Sequence, residues 1–393
     1  MKILFITSLL GKQYGGAEVS THLLFEKLFD CGFEIKALTT RKVKENNNLL
    51  SISFPIEIPK KLLTIGNTCV DYFLERKIKK ILERFQPDVI HIQDTYILPA
   101  AVAANISLKI PSVATIRNSV LDETWELMFP KPISTLLKRR NKKIIKALNK
   151  IDIIISVSDY IKNELTKRGL DNKKIITIYN LPPKFKDDIK FSQKNSTVNL
   201  FALGFLAKFK GFSVLVKSIE LVIKNDLNVH LKIAGEGPEK KGLEKMVRNF
   251  GLESHIEFIG KIPFDGLSQK YSECDIVIFP SIYAEPFGRV ALEAMYHGKP
   301  VIASKVGGIP EIVENSETGI LVKPDDVYEL AQAIINLVIN PSLRKKMGKK
   351  GRIAIENLFN EENIVNQTLT VYEAVIKNHH PSKSRILGDE SNE

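Results

Sequence analysis

Residues 276–293 read IVIFPSIYAEPFGRVALE and contain two glutamates, Glu285 and Glu293, eight positions apart. The run opens with four apolar residues, which is typical of a strand covered on both faces. Pro286 biases Glu285 toward an extended conformation and is itself suited to a first helical turn. The stretch therefore predicts a strand, then a loop that carries Glu285, then a helix that carries Glu293.

The predicted start of this helix combines two kinds of binding group. Side chains lean toward the N-terminus of a helix, so Glu293 can reach back over the unpaired amides of Phe287, Gly288 and Arg289. Free amides and the helix dipole favour a phosphate, whereas an ionised carboxylate only accepts hydrogen bonds and therefore favours hydroxyls. The expected ligand carries both groups, as a sugar nucleotide does.

Short apolar runs alternate with amphipathic segments on both sides of a polar break near residue 190. Predicted strands of the first half are 3–7, 34–38, 89–92, 112–116, 153–157 and 175–178. Those of the second half are 198–203, 229–234, 256–259, 276–279, 301–303 and 320–322. Alternation of this kind predicts a parallel, doubly wound α/β sheet in each half.

Composition sets the class of protein. The chain has 393 residues, of which 44% are hydrophobic and 26% charged, enough for two globular domains. Its net charge of +12 favours a polyanionic partner. The sequence contains no run of about 18 apolar residues, so no membrane span is predicted. The three cysteines do not have the spacing of a metal site. The first predicted strand begins near residue 1, without the pattern of a signal peptide. Both observations predict a cytoplasmic protein.

A glycine pair, Gly15 and Gly16, precedes the first predicted helix. It would let the backbone approach a phosphate closely, although a flexible loop ahead of a helix explains the pair equally well. A nicotinamide-binding protein is not expected, because the G-x-G-x-x-G pattern is absent.

Residues 131–150 carry eight basic side chains and no acidic one, interleaved with Leu137, Ile144 and Leu148. On a helix this pattern predicts docking on an anionic membrane. The alternative is a solvated helix whose apolar stripe packs on its own domain. Nucleic acid is not an expected partner, because aromatic residues do not interleave with the charges. The residues expected to dock are Lys138, Arg139, Arg140, Lys142, Lys143 and Lys146.

The block 285–293, with its flanking segments 275–281 and 298–303, resembles the E-x7-E block of retaining family 4 glycosyltransferases, which have the GT-B fold. Segments 15–18, 156–158, 178–180, 235–238, 307–312 and 319–322 resemble further landmarks of that family, in the same order. The resemblance covers nearly the whole chain.

The resemblance implies an α/β architecture of two Rossmann-like, doubly wound domains that face a cleft. Residues 1–180 would form the acceptor-binding domain, 181–196 a linker and 197–360 the nucleotide-sugar donor domain. Residues 361–378 would form a helix that returns to the N-terminal domain. The segment 379–393 is expected to be a disordered tail.

The resemblance also implies roles for individual residues. Glu285 would hold the hydroxyls of the donor sugar, and Glu293 would accept both hydroxyls of the nucleotide ribose. Lys210 would bind the diphosphate, amides of 287–289 would face the sugar and the diphosphate, and Gly16, with Gly15 beside it, would close that site from the other domain. No metal or other cofactor is expected, and the chain has no Asp-x-Asp triplet.

Two positions depart from the family pattern. Phe205 stands where an arginine of the diphosphate site is usual, and Lys208 could supply the missing charge. Arg117 and Asn118 stand where a His-Asp pair is common. Arg117 cannot accept a proton, so the hypothesis is that it binds a phosphate or carboxylate of donor or acceptor. Asn118 and His91 are candidate residues of the cleft or of the acceptor site. The alternative for His91 is a buried histidine whose ring nitrogens are hydrogen-bonded within the core.

The sequence therefore predicts a retaining hexosyltransferase of the EC 2.4 class that moves a sugar from a nucleoside diphosphate sugar to a glycan or lipid-linked acceptor. Cell-surface polysaccharide or glycolipid synthesis is the expected role, in the cytoplasm or on the inner face of the cytoplasmic membrane. The alternatives are a catalytically silent subunit that binds sugar nucleotides or glycans, and a sugar-nucleotide epimerase with the same fold.

Overall fold

The computed structural model describes residues 1–8, 10, 15–40, 48–51, 68–117, 131–182 and 197–379. Within these ranges, seven parallel strands form a first sheet. The strands are β1 Lys2–Thr7, β2 Glu34–Thr39, β3 Leu49–Ser51, β4 Val89–Ile92, β5 Ser112–Ile116, β6 Ile153–Ser156 and β7 Ile175–Thr177. Their spatial order is β3-β2-β1-β4-β5-β6-β7.

A second parallel sheet, with six strands in the described ranges, follows in the chain. The strands are β8 Val198–Leu203, β9 Val229–Ala234, β10 Ile256–Gly260, β11 Ile276–Phe279, β12 Val301–Ser304 and β13 Gly319–Val322. Their order, β10-β9-β8-β11-β12-β13, repeats that of the first six strands of the first sheet. In both sheets the order reverses beside the first strand, which is the switch point where doubly wound folds bind ligands.

Helices connect most of the successive parallel strands, as such crossovers usually require. The first sheet is accompanied by α1 Gly16–Asp30, α2 Thr68–Phe85, α3 Leu98–Asn105, α4 Lys131–Leu148 and α5 Asp159–Lys167. The second is accompanied by α6 Phe212–Ile223, α7 Lys240–Asn249, α8 Phe264–Glu273, α9 Arg289–Tyr296, α10 Val327–Ile339 and α11 Pro341–Leu358. A last helix, α12, spans Glu361–His379.

The chain divides into two units, one of Met1–Leu181 together with Glu361–Glu393, and one of Pro182–Asn360. The last helix, α12, belongs to the first unit, where it packs against α1, β4 and β5. The two Rossmann-like sheets and the return of the last helix are as predicted. Most of the expected linker, 183–196, and the tail 380–393 lie outside the described residues, whereas His379 ends α12 and its Nε2 lies 3.0 Å from Asp152 Oδ1.

Both sheets are covered on their two faces. Every residue of β4, β5, β11 and β12 is buried, which confirms the prediction made from their continuous apolar runs. The edge strand β3 was not predicted, because its three residues follow a polar run and pair with β2 alone within the described ranges. In the same ranges, none of the helices combines the length and apolar character that a membrane span requires.

Candidate active site

Glu285 lies in the loop that follows β11, at the carboxyl side of the second sheet. The neighbouring strand β8 is followed by a short helical turn, Lys208–Lys210. The two loops meet at the switch point, where Glu285 Oε1 accepts hydrogen bonds from Lys210 Nζ at 2.5 Å and from Ser281 Oγ at 2.7 Å. Glu285 Oε2 has no hydrogen-bond partner among the described residues, so the carboxylate keeps one oxygen available to a ligand.

Backbone contacts fix the position of this carboxylate. The amide of Gly308 donates to the carbonyl of Glu285 at 2.8 Å. Gly307 has a φ of +55°, and a Cβ on it would lie 2.0 Å from the Glu285 carbonyl oxygen. Real Cβ atoms do not approach a carbonyl oxygen so closely. Glycine at position 307 is therefore what allows the chain after β12 to lie directly against Glu285.

The helix that carries Glu293 begins later than predicted. Gly288 has a φ of +115° and precedes α9, whose first residue is Arg289. Because this left-handed residue separates Pro286 from the helix, the prediction that Pro286 lies in the first turn is wrong. The ring of Phe287 is buried against Phe359, with ring centroids 6.0 Å apart, so at this position only the backbone is left for a ligand.

Glu293 is 3% exposed, and both of its oxygens have donors inside the second unit. Oε1 lies 2.8 Å from Arg289 Nε, and Oε2 accepts from the Tyr271 hydroxyl at 2.8 Å. Burial raises the pKa of Glu293, while the charge of Arg289 and the hydrogen bond from Tyr271 act in the opposite direction. Each oxygen has two lone pairs, so a ligand hydroxyl can still be accepted beside each present donor.

Two more predicted residues lie at the carboxyl end of β8. Lys208 is exposed in the turn that also contains Lys210. Phe205 follows the strand and is 56% exposed, although Leu206 and Ala207 beside it are buried. An aromatic ring, rather than a cation, therefore faces solvent at this position.

Arg117 lies at the corresponding edge of the first sheet, directly after β5. Its Nε donates to Asn180 Oδ1 at 3.0 Å, and its Nη1 donates to Gln93 Oε1. Gln93 follows β4 and Asn180 follows β7, so three strand ends contribute to the arrangement. Both of these partners are neutral amides, and their hydrogen bonds orient the guanidinium. Asn118 lies outside the described residues.

The glycine pair lies at the start of α1 in the first unit. Gly15 is exposed and precedes the helix, and Gly16 is its first residue. No side chain caps this end of the helix. A Cβ on Gly15 would lie 2.9 Å from Glu18 Oε2, so a carboxylate lies beside this glycine, and contact of the pair with a phosphate stays a prediction.

The structure contradicts the placement of His91 in a cleft. His91 lies within β4, is 0% exposed, and has Tyr372 Oη 2.6 Å from Nδ1 and Thr115 Oγ1 2.6 Å from Nε2. Burial, and to a lesser extent the charge of Arg117, lower the pKa of His91 well below its ordinary value. His91 is a neutral core residue that joins α12 to the first sheet.

The basic helix α4 differs from the prediction in its apolar stripe. Leu137, Ile144 and Leu148 are buried within the first unit, so the stripe is not available for insertion into a membrane. Arg140 is 4% exposed and lies over the ring of Tyr96 at 4.3 Å, because it shares the helical face of the stripe. Lys143 Nζ lies 3.4 Å from Asp71 Oδ2, and the four exposed predicted residues without such a partner are Lys138, Arg139, Lys142 and Lys146.

Two residues that donate hydrogen bonds to Glu285 or Glu293 were not predicted from the sequence. Ser281 is fully buried and orients Glu285, and its position four residues ahead of that glutamate in a strand-ending loop was the available signal. Tyr271 precedes Glu293 by 22 positions, and no spacing in the sequence connects the two.

Comparisons with known proteins show the family of this chain. Residues 14–181 match the model of Glycosyltransferase Family 4, and residues 184–354 match that of Glycosyl transferases group 1. An uncharacterized glycosyltransferase of Methanocaldococcus jannaschii is 30% identical over 379 residues, which cover 95% of this chain and 98% of the relative. N-acetyl-alpha-D-glucosaminyl L-malate synthase of Bacillus anthracis is 27% identical over 329 residues, which cover 80% of this chain and 81% of that synthase.

Solved structures share the fold along nearly the whole length. Anabaena HepE in complex with UDP and glucose has a TM-score of 0.75 at 21% identity, covering 94% of this chain and 98% of that one. Sucrose-phosphate synthase from Thermosynechococcus elongatus has a TM-score of 0.77 at 21% identity, covering 96% and 100%. With two Rossmann-like sheets, two matching domain models and a relative similar end to end, this chain belongs to the glycosyltransferases of the family 4 and group 1 type.

Proposed function

We propose that this glycosyltransferase moves a hexose from a nucleoside diphosphate sugar to a glycan or lipid-linked acceptor, with retention of anomeric configuration and without a metal. The observation that carries the proposal is the arrangement of Glu285 at the switch point of the second sheet. One of its oxygens is held by Lys210 and Ser281, and the other has no partner among the described residues.

Glu285 Oε2 would accept a hydroxyl of the donor sugar. An ionised carboxylate only accepts hydrogen bonds, and sugar hydroxyls are donors that suit it. Because Oε1 is fixed, the sugar would be held in one orientation relative to the reacting carbon. Fixed orientation of the reacting groups contributes several kcal/mol to catalysis in enzymes generally.

Lys210 would stabilise the leaving group. In the proposed step the bond between the anomeric carbon and the phosphate oxygen breaks, and the electron pair leaves with the nucleoside diphosphate. The acceptor oxygen forms the new bond on the same face of the sugar, and its proton passes to the departing phosphate oxygen. A cation beside that oxygen is most strongly attracted when the negative charge has developed.

Arg117 would bind a phosphate or carboxylate of the donor or acceptor. Its guanidinium is half-buried and is oriented by two neutral side chains, Gln93 and Asn180. Unchanged affinity for both donor and acceptor in Arg117→Ala would contradict this role.

The test is acceptor-dependent release of nucleotide from UDP-, GDP- and ADP-hexoses, with UDP-glucose first because Anabaena HepE was solved with UDP and glucose. Glu285→Gln keeps the shape of the side chain, and we expect turnover to fall by about 10²-fold or more. Glu314→Gln, at an exposed position of the same unit, is the matched control and should keep wild-type turnover. Wild-type activity in Glu285→Gln would refute the proposal.

A second candidate function is a catalytically silent subunit that binds sugar nucleotides or glycans. The exposed ring of Phe205 favours it, since a neutral side chain at the end of β8 adds nothing to the charge that stabilises a leaving diphosphate. Nucleotide binding by calorimetry, without turnover on any acceptor of a broad panel, would favour this candidate. Turnover without acceptor, giving an isomerised sugar nucleotide, would instead favour an epimerase.

We also propose that the exposed cations of α4 hold the protein on the inner, anionic face of the cytoplasmic membrane. Each lysine or arginine near such a surface contributes about 1 kcal/mol, and salt screens the attraction. The protein should sediment with vesicles that contain anionic lipid at low salt and be released at high salt. A double variant, Lys138→Glu with Lys142→Glu, should sediment less. Equal recovery on neutral vesicles would contradict the proposal.

A further inference from the structure

Tyr271 is a fully buried side chain in the last turn of α8, beneath the helix that carries Glu293. Its ring is held by aromatic neighbours from two other elements. Phe201 on β8 meets it edge-on, with ring centroids 5.4 Å apart and an interplanar angle of 89°. His297, directly after α9, stacks on it at 5.2 Å and 13°. The direction of the Tyr271 hydroxyl is therefore set by packing.

That hydroxyl donates to Glu293 Oε2 at 2.8 Å, while Arg289 Nε lies 2.8 Å from Oε1. Two donors on opposite oxygens prevent the carboxylate from rotating, so its remaining lone pairs keep fixed directions. Burial raises the pKa of Tyr271 well above its ordinary value, so the hydroxyl remains a donor at neutral pH.

We propose that Tyr271 is a positioning residue that holds the Glu293 carboxylate for the two hydroxyls of the nucleotide ribose and thereby sets the preference for ribonucleotides over deoxyribonucleotides. The inference rests on the proposed function and on the role that the family resemblance implies for Glu293, which is to accept the hydroxyls of the nucleotide ribose. A diol supplies two O–H donors to a carboxylate whose direction is fixed. A deoxyribose supplies one, and leaves part of a buried anion unsatisfied.

The experiment is calorimetric titration of the full chain. The probe is whichever of UDP, GDP and ADP the wild type binds most tightly, together with its 2′-deoxy and 3′-deoxy forms. We expect the wild type to bind the ribonucleotide about tenfold more tightly than either deoxy form, since hydrogen bonds to a charged group discriminate by at least that factor. In Tyr271→Phe the ring packing remains and the ratio should fall to about threefold or less.

Two further variants separate positioning from a general structural effect. Tyr328→Phe, on an exposed side chain of α10 in the same unit, should keep the wild-type ratio. In a Glu293→Gln background, Tyr271→Phe should leave the ratio unchanged, because its effect passes through the carboxylate.

Equal weakening of ribo and deoxy forms in Tyr271→Phe, with the wild-type ratio kept, would overturn the inference. If that variant does not fold, the ratio is measured in His297→Leu, which removes the ring stacked on Tyr271. An unchanged ratio there would likewise overturn it. A wild type that binds none of the three nucleotides would refute the proposed function itself, and this inference with it.

Discussion

The contact between Gly307 and the backbone of Glu285 predicts a large effect for one added methyl group, Gly307→Ala. The new Cβ would lie 2.0 Å from the Glu285 carbonyl oxygen and 2.8 Å from its carbonyl carbon. Non-bonded heavy atoms settle about 3.5 Å apart, so one of the two backbones must move by more than about 1 Å. Such a movement breaks the hydrogen bond from the Gly308 amide to Glu285, now 2.8 Å long.

Three contributions set the expected loss of stability. The positive φ of residue 307 costs an alanine about 1 kcal/mol, the broken hydrogen bond costs about 1 kcal/mol, and the steric displacement costs at least about 1 kcal/mol. The sum is about 3 kcal/mol. For a unit of this size each kcal/mol lowers the Tm by about 2–4 °C, so we expect a decrease of about 6–12 °C. A displacement of about 1 Å at Glu285 should also lower turnover by about 10²-fold.

Gly251→Ala is the matched control. Gly251 lies in the same unit, has a φ of +65°, and a Cβ on it would meet nothing within 4 Å. It therefore carries the conformational cost of about 1 kcal/mol without the clash, and turnover should stay at the wild-type level. Calorimetric melting and acceptor-dependent nucleotide release compare the two variants. If they melted at the same temperature and were equally active, close approach to Glu285 would not be the reason for glycine at 307.

Two further predictions concern buried histidines. Tyr372→Phe leaves one ring nitrogen of His91 without its partner and should destabilise the first unit by about 1–3 kcal/mol, whereas Tyr72→Phe, at a 59% exposed position, should change the free energy of unfolding little. Equal melting of the two variants would contradict a structural role for the buried pair. Burial, with the charges of Lys299 and Arg352, lowers the pKa of His297 to about 4. The unfolded chain therefore binds the proton first, and the wild type should lose roughly 3 kcal/mol more than His297→Phe as the pH falls from about 6.5 to 4, measured by denaturant unfolding. Parallel pH profiles would contradict the assignment.

The sheets were predictable because their strands are continuous apolar runs, a pattern that depends on burial on both faces. The edge strand β3 has only three residues and one neighbour in the described part, so its sequence shows no such pattern. The start of α9 was misplaced because Pro286 suits a first turn equally well when a left-handed Gly288 follows it. Local conformational preference limits the positions at which a helix can begin, and tertiary contacts determine which of these positions is used.

The site was predictable as a set of residue types and not as a set of contacts. Glu285 and Lys210 lie 75 positions apart, and their ion pair forms only because β8 and β11 are neighbours in the sheet. The burial of His91 depends on Tyr372, 281 positions away. Arg140 is different, since its spacing from Leu137 and Ile144 already places it on the buried face of α4.

The return of α12 to the first unit has a consequence for biosynthesis. Chains emerge from the ribosome N-terminus first, and domains generally fold as units while synthesis continues. The second unit is contiguous, and its described strands and helices have all been synthesised once residue 360 has emerged. The core of the first unit is complete only after α12 has been synthesised and Tyr372 contacts His91. The part of the molecule that is translated first is therefore the last to complete its core, and a nascent chain halted before α12 would expose that incomplete core to chaperones and proteases.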